Sequence, residues 1–237
     1  ADTYNSLPHA PDNPRVTDAY EALIEETLAQ YEAMGGDLRI EPWAQEGDPY
    51  RSSEEMLNDV KDNRHLFFFL TDNGYGQGDN NLNHPMLQDS GVRATDGTRL
   101  LYNDIFRIVH DYFGHAPNGL SFGPVGEFNA FMSHATMYSV RARPALAMET
   151  LAQNAWVNFG SHIRRADGSI PFPSDDDYVP QRERPFADQK ANIIPNRLLP
   201  RELVPDIGRR TTRHVPSELV FGTGAPYETQ YPAYYDL

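Results

Sequence analysis

Leu100-Leu101-Tyr102-Asn103-Asp104-Ile105-Phe106-Arg107-Ile108-Val109-His110-Asp111-Tyr112-Phe113-Gly114-His115-Ala116-Pro117 is the stretch from which the fold of this chain is read. Leu100, Leu101, Ile105, Phe106, Ile108 and Val109 make an apolar pattern that runs nearly all round a helix, which predicts a helix buried on every side. Two histidines, His110 and His115, stand at its end. On an unbroken α-helix, residues five apart differ by about 140°, so these two rings would not converge. Gly114 and Pro117 are expected to resolve this, because glycine can leave the helical region and the proline disfavours helix at Ala116. His110 is then expected in the last helical turn and His115 just beyond it on a sharp bend, both imidazoles facing one point. Two rigidly held imidazoles with carboxylates nearby are what a divalent metal needs.

Two further helices are predicted downstream, over about 124–139 and about 142–159. Each brings metal-competent side chains to an otherwise apolar segment. Glu127 and His134 are seven apart and share a stripe with Phe131. Glu149 and Gln153 are four apart, with Trp156 on the same side. Burying such groups unpaired costs several kcal/mol each, so they are expected to be paired or bound to an ion. His110, His115 and Glu149 are the expected metal ligands, with Glu127 the alternative carboxylate. Glu127 and His134 are the catalytic candidates, and His134 also fits a place behind the ligands or in the core. Asp111, on the other side of the turn, suits orientation of a ligand or a surface salt bridge.

Working outward, Asn13-Pro14 reads as an N-cap and first helical residue. Val16, Tyr20, Leu23, Ile24, Leu28, Tyr31 and Met34 follow at helical spacing, and Gly35-Gly36 ends the helix. Leu38 and Ile40 alternate with polar residues as a short strand stopped at Pro42. Ser52 and Glu55 form a capping box opening a short helix through Met56, Leu57 and Val60, and 65–70 reads as an apolar strand. Residues 1–12 read as an extended arm. The Gly-, Asn- and Asp-rich stretch 71–98 reads as a long loop, suited to act as a lid. After Gly160 the chain turns rich in Pro, Arg and Asp. The fold class is therefore mainly α (α+β), organised as a single domain over 1–237. Residues 1–98 carry a helix, short strands and the loop, 99–160 form a helical metal-site core, and 161–237 wrap it in an extended segment.

The 237 residues include 34 acidic and 20 basic side chains, for a net charge of −14. This balance argues against direct binding to nucleic acid or to an anionic membrane, since both need clustered Lys and Arg. The densest basic spot, Arg209-Arg210 with Arg213, is small. There are no cysteines, which excludes disulfides, thiolate metal sites and cysteine nucleophiles. The N-terminal residues lack the basic start and apolar run of a signal peptide, and no stretch approaches 18 apolar residues. A soluble, cytoplasmic protein is expected, inside a host cell or associated with a virion.

The run His110-Asp111-Tyr112-Phe113-Gly114-His115-Ala116-Pro117 resembles the iron-site signature of the pterin-dependent aromatic amino acid hydroxylases, His-Asp/Glu-x-x-Gly-His-x-Pro. The resemblance implies that both histidines bind non-haem iron. In that family the third ligand is a Glu in a Trp-x-x-x-Glu-Phe-Gly context. The nearest match here is Trp156-Val157-Asn158-Phe159-Gly160, which is shorter and has Asn158 in that place. A wider resemblance rests on Tyr4-Asn5-Ser6-Leu7-Pro8-His9, Phe122-Gly123-Pro124-Val125-Gly126-Glu127, the 153–160 run and Ala187-Asp188-Gln189-Lys190. These runs look like an uncharacterised domain of phage and mobile-element proteins, which implies a viral or mobile-element origin and no particular reaction.

Three functions compete at this level. The first is a mononuclear non-haem Fe(II) oxygenase or hydroxylase with a 2-His-1-carboxylate site, walled by Trp156, Tyr112 and Phe113, acting on a small molecule or protein. The second is a zinc-dependent hydrolase with Glu127 as general base. The third is a non-enzymatic structural or interaction domain, with a virion partner or a second copy of itself; the tyrosines at 227, 231, 234 and 235 are candidates to dock on a partner, with packing onto the chain's own core the favoured alternative. The chain has no G-x-S-x-G elbow, P-loop or dinucleotide fingerprint.

Overall fold

The computed structural model describes residues 1–71 and 83–204. The fold is mainly α, as the apolar patterning predicts. In chain order it runs α1 (Asp2–Ser6), α2 (Pro14–Ala33), β1 (Arg39–Pro42), α3 (Ser53–Asn58), β2 (His65–Phe68), β3 (Asp89–Arg93), β4 (Arg99–Leu101), α4 (Tyr102–His110), α5 (Pro124–His134), α6 (Arg143–Ala147) and α7 (Gln153–Phe159). Three π-turns interrupt this pattern, at Asp59–Asn63, Asp111–His115 and Met148–Ala152.

Local chemistry sets most of the boundaries. The Asn13 side chain accepts the Arg15 backbone N–H at 3.0 Å and Pro14 follows, so α2 starts where expected. At α3 the Ser52 hydroxyl accepts the Glu55 N–H at 3.2 Å, and the Glu55 carboxylate accepts the Arg51 N–H at 2.8 Å. α4 is anchored at its head by Asp104. One carboxylate oxygen accepts the Leu101 N–H at 2.8 Å, and the other accepts the Thr71 N–H at 2.8 Å and the Thr71 hydroxyl at 2.6 Å. A negative charge in a first turn also complements the helix dipole.

α4 is the hub of the packing. Phe106 faces a cluster built from Tyr20 and Leu23 of α2, Phe131 of α5 and Leu146 of α6. Ile105, Ile108 and Val109 face a second cluster built from Ile40, Leu66, Phe68, Met56 and Val60. Burying each large apolar side chain contributes about 1.5–3 kcal/mol, so the apolar side of α4 is pinned between the two clusters; the helix is not apolar all round as expected, because Asn103, Asp104 and His110 on its other side are buried and polar. β1 and β2 pair in parallel, with Ile40 opposite Leu66, and supply the floor of the second cluster.

Five readings depart from expectation. Residues 2–6 are helical and not part of an extended arm: Tyr4 is buried, and its hydroxyl donates to the Asp188 carbonyl, docking α1 on the later segment. Within 71–98 the described part holds a short turn (Pro85–Leu87) and strand β3, which pairs antiparallel with β4. The turn between them contains Asp96-Gly97, with Gly97 at φ 91°, a left-handed value that glycine adopts without strain. Leu100 and Leu101 therefore belong to a strand, and the helix begins at Tyr102. The helix over 124–139 ends at His134, and the one over 142–159 is split by a π-turn.

After α7 the described chain, to 204, has only short helical turns, and Ala187, Ala191, Ile194, Leu199 and Leu203 pack into the first cluster. The expectations for the Arg209-Arg210-Arg213 patch, the tyrosines at 227–235 and the lid residues 72–82 lie outside the described residues. Among the described residues no helix is long and apolar enough to cross a membrane.

Candidate metal centre

The convergence of His110 and His115 comes from a π-turn, not from a bend at Gly114. The backbone stays helical through Ala116 (φ −58°, ψ −51°), and its N–H bonds back to the Asp111 carbonyl, five residues earlier. In an i→i+5 turn, residues five apart stack one above the other, which an α-helix does not allow. His110, the last residue of α4, and His115 thus lie on one face, with ring centroids 5.1 Å apart. Gly114 does not leave the helix as expected. A Cβ there would lie 3.4 Å from the Cβ and the carbonyl oxygen of Ala130, ordinary contact distance, so α5 packs directly on the turn at this point.

That approach of α5 brings in the carboxylate. Glu127 Oε2 stands 3.3 Å from His115 Nε2 and 3.7 Å from His110 Nε2. One ligand atom from each of His110, His115 and Glu127 can be chosen so that all lie within 4.8 Å of one another. Ligands held at about 2.0–2.2 Å from one ion stand roughly 3–3.5 Å apart, so side-chain shifts of about an ångström or less would close the set. Gly126 lets α5 start where it does: a Cβ on it would fall 1.8 Å from the Ser121 carbonyl oxygen.

The remaining ring nitrogens are held from behind. His115 Nδ1 lies 3.2 Å from the Leu120 carbonyl, a pure acceptor, so Nδ1 donates and Nε2 is the nitrogen turned to Glu127. His110 Nδ1 lies 3.1 Å from His134 Nδ1, and His134 Nε2 lies 2.9 Å from Gln30 Oε1. His110 Nε2 is buried without a hydrogen-bond partner, which makes it a costly group to leave bare. Phe106 stacks against His110 at 6.0 Å, and Phe122 packs against His115 at 5.0 Å.

The electrostatics follow from this crowding. Burial would raise the Glu127 carboxyl, but the facing imidazoles of His110 and His115 outweigh it and pull the pKa down to about 2. Burial would lower the His115 imidazole, yet Glu127 and Asp111 hold it above its ordinary value. His134 is pushed far below its ordinary value, first by burial and then by the charge of His110 and His115. Burial raises the Asp111 carboxyl, with His115 and His110 opposing.

The site residues expected from sequence are thus divided between two places. His110, His115 and Glu127 come together, with His134 directly behind His110. Glu149 lies in a separate buried cluster: the Tyr20 hydroxyl donates to its Oε1, Gln153 donates to its Oε2 at 3.0 Å, and His84 Nε2 lies 3.4 Å from Oε1. Glu127 therefore takes the place expected of Glu149 beside the histidines. Trp156, expected to wall the pocket, packs against His162 at 4.1 Å. Gln30 and His84 were missed by sequence reasoning. For Gln30 a signal existed, because Tyr20, Leu23, Thr27 and Gln30 form one buried stripe on α2, and the last two are polar.

No protein-family model, curated protein or solved structure matches this chain.

Proposed function

We propose that the chain is a mononuclear metal protein of the non-haem Fe(II) oxygenase type, with His110, His115 and Glu127 as the ligands. The observation that carries this reading is the convergence of two imidazole Nε2 atoms and one carboxylate oxygen in a largely buried pocket. Two imidazole nitrogens and a carboxylate turned to one point are a donor set that a divalent ion can take in place of the protons they hold without it. The resemblance of 110–117 to a hydroxylase iron site points the same way. A metal held by two His and one carboxylate keeps open coordination positions, and so supplies Lewis-acid or redox chemistry to a substrate. In this chain His110 and His115 bind, Glu127 neutralises, His134 and Leu120 fix the rings, and Phe106 and Phe122 keep water from the imidazole faces.

A zinc hydrolase uses the same donor set, and metal identity separates the two readings. The zinc reading assigned the general base to Glu127, which here stands beside both histidines as a third donor, so what favours iron is the resemblance of 110–117 to a hydroxylase iron site.

The test is elemental analysis of protein purified without chelators or metal-affinity resin, beside the His110→Ala, His115→Ala double variant. About one iron per chain, lost in the variant, and oxygen uptake on anaerobic Fe(II) loading followed by air, are the expected results. Stoichiometric zinc that Fe(II) does not replace would favour the hydrolase. No metal in either protein, even after Fe(II) addition, would overturn the proposal.

A further inference from the structure

We infer that His65 and Glu41 form a second divalent-cation site, of zinc type, on the outer face of the β1–β2 pair, with Asp59 as the positioning residue behind His65. The site shares no residue with the His110, His115 and Glu127 centre and stands or falls without it.

Strand register brings the donors together. β1 and β2 run parallel with Arg39 opposite His65 and Glu41 opposite Phe67. Side chains alternate along a strand, so Ile40, Leu66 and Phe68 enter the second core cluster while Arg39, Glu41, His65 and Phe67 share the other face. Glu41 stands one pair along from His65, and its Oε2 lies 3.5 Å from His65 Nε2. That nitrogen is buried without a hydrogen-bond partner, on a residue 4% exposed. The gap is too long for a good hydrogen bond. It suits two donors to one ion: with bonds of about 2.0–2.1 Å it corresponds to a donor–metal–donor angle of about 115°, close to tetrahedral. The Glu41 side chain is 34% exposed, so water can fill the remaining coordination positions.

Behind His65 the surroundings are those of a ligand imidazole. The π-turn Asp59–Asn63 and then Arg64, at φ 51° and ψ 48°, turn the chain back before β2. Asp59 Oδ2 thereby lies 2.6 Å from His65 Nδ1, which donates to it. Asp59 is itself fixed, since the Tyr50 hydroxyl donates to Oδ2 at 2.7 Å and Asn63 Nδ2 donates to Oδ1 at 2.8 Å. Burial would raise its carboxyl, but the hydrogen bonds from Asn63, Tyr50 and His65 outweigh it and hold it below its ordinary value. A histidine that gives one N–H to a carboxylate and turns its other nitrogen outward is the common form of a metal-bound imidazole.

The competing occupant is a proton. An imidazolium between Asp59 and Glu41 leaves two negative charges against one positive, across a long gap on the Glu41 side. A divalent ion at Nε2 balances both carboxylates and displaces that proton. Arg39, the other charged residue of this face, is exposed, where water and salt screen it.

Zinc stoichiometry after equilibrium dialysis tests the site. Wild type is expected to hold about two Zn(II) per chain, and the His110→Ala, His115→Ala variant and Glu41→Gln about one each. Glu41→Gln is nearly isosteric at a half-exposed position, so folding should survive it. Asp59→Asn is expected to weaken the second ion about 10–100-fold, an effect that an ion held loosely by Glu41 alone would not show. In the His110→Ala, His115→Ala protein, Zn(II) should raise the melting temperature, and adding His65→Gln should abolish the rise. A stoichiometry unchanged by Glu41→Gln, or an affinity unchanged by Asp59→Asn, would overturn the inference. One Zn(II) that survives loss of His110 and His115 and goes with Glu41→Gln upholds this site and speaks against the other. One that goes with the two histidines and survives Glu41→Gln does the reverse, and no bound Zn(II) in wild type overturns the inference.

Discussion

The Nε2 atom of His115 stands 3.3 Å from Oε2 of Glu127, and the two shift each other's protonation in opposite directions. Glu127 is pulled from 4.5 to about 2, so its contribution to stability is present above pH 4.5 and fades as pH falls towards 2. His115 is raised above 6.5, so its contribution is present below pH 6.5 and fades as pH rises through the folded-state value. In metal-free protein the pair is fully formed between about pH 4.5 and 6.5. The stability gap between wild type and Glu127→Gln, from urea midpoints in EDTA, is expected to be widest in that window. Binding of a divalent ion should release protons near pH 6.5, because the ion replaces the one on His115. A gap independent of pH would contradict the pairing.

The half-buried Glu127 and the buried Glu149 should separate cleanly. Glu127→Gln is expected to remove bound metal and to cost stability chiefly between about pH 4.5 and 6.5. Tyr20→Phe, which takes away a donor to Glu149, is expected to cost about 1–3 kcal/mol of stability and leave the metal content unchanged. Metal loss in a folded Tyr20→Phe protein would move the ligand assignment back towards Glu149.

Gly126→Ala should be severe for a residue that carries no chemistry. The added carbon would fall 1.8 Å from a backbone oxygen, so the 121–126 segment must move. A loss of about 3 kcal/mol or more is expected, the range of strong overpacking. Any folded fraction should bind metal poorly, because Glu127 moves with its neighbour. Calorimetry and metal titration check both halves.

Asp104→Ala should weaken the hub without touching the metal ligands. Removing the carboxylate strands the Leu101 and Thr71 backbone donors and the Thr71 hydroxyl, for a cost of about 2–4 kcal/mol. Chemical denaturation measures the loss, and metal stoichiometry in the folded protein should stay at the wild-type value.

The helical core was largely legible from sequence, because apolar periodicity and caps are local signals. Asn13-Pro14 and Ser52 mark helix starts, and the apolar stripe of Ile105, Phe106, Ile108 and Val109 places α4 between two clusters. The β3–β4 hairpin was missed although Asp96-Gly97 is a strong turn signal, because the polar character of 71–98 masked it. The site was legible in its histidines and not in its carboxylate. Glu149 was the expected ligand and Glu127 the alternative, and what reverses them is the packing of α5 on the 111–115 turn at Ala130. The π-turn itself had no local signature: a glycine and a proline near a helix end suggested a stop, while packing on both sides kept the backbone helical.

A π-turn holds one residue more than the α-helical turn it replaces. The facing of His110 and His115 therefore depends on chain length as much as on chemistry. Deleting a single residue between them would set the histidines four apart, a spacing that shares a face on an ordinary α-helix, whereas rewinding the unshortened turn as α-helix would put them about 140° apart and dissolve the site while leaving every ligand in the sequence.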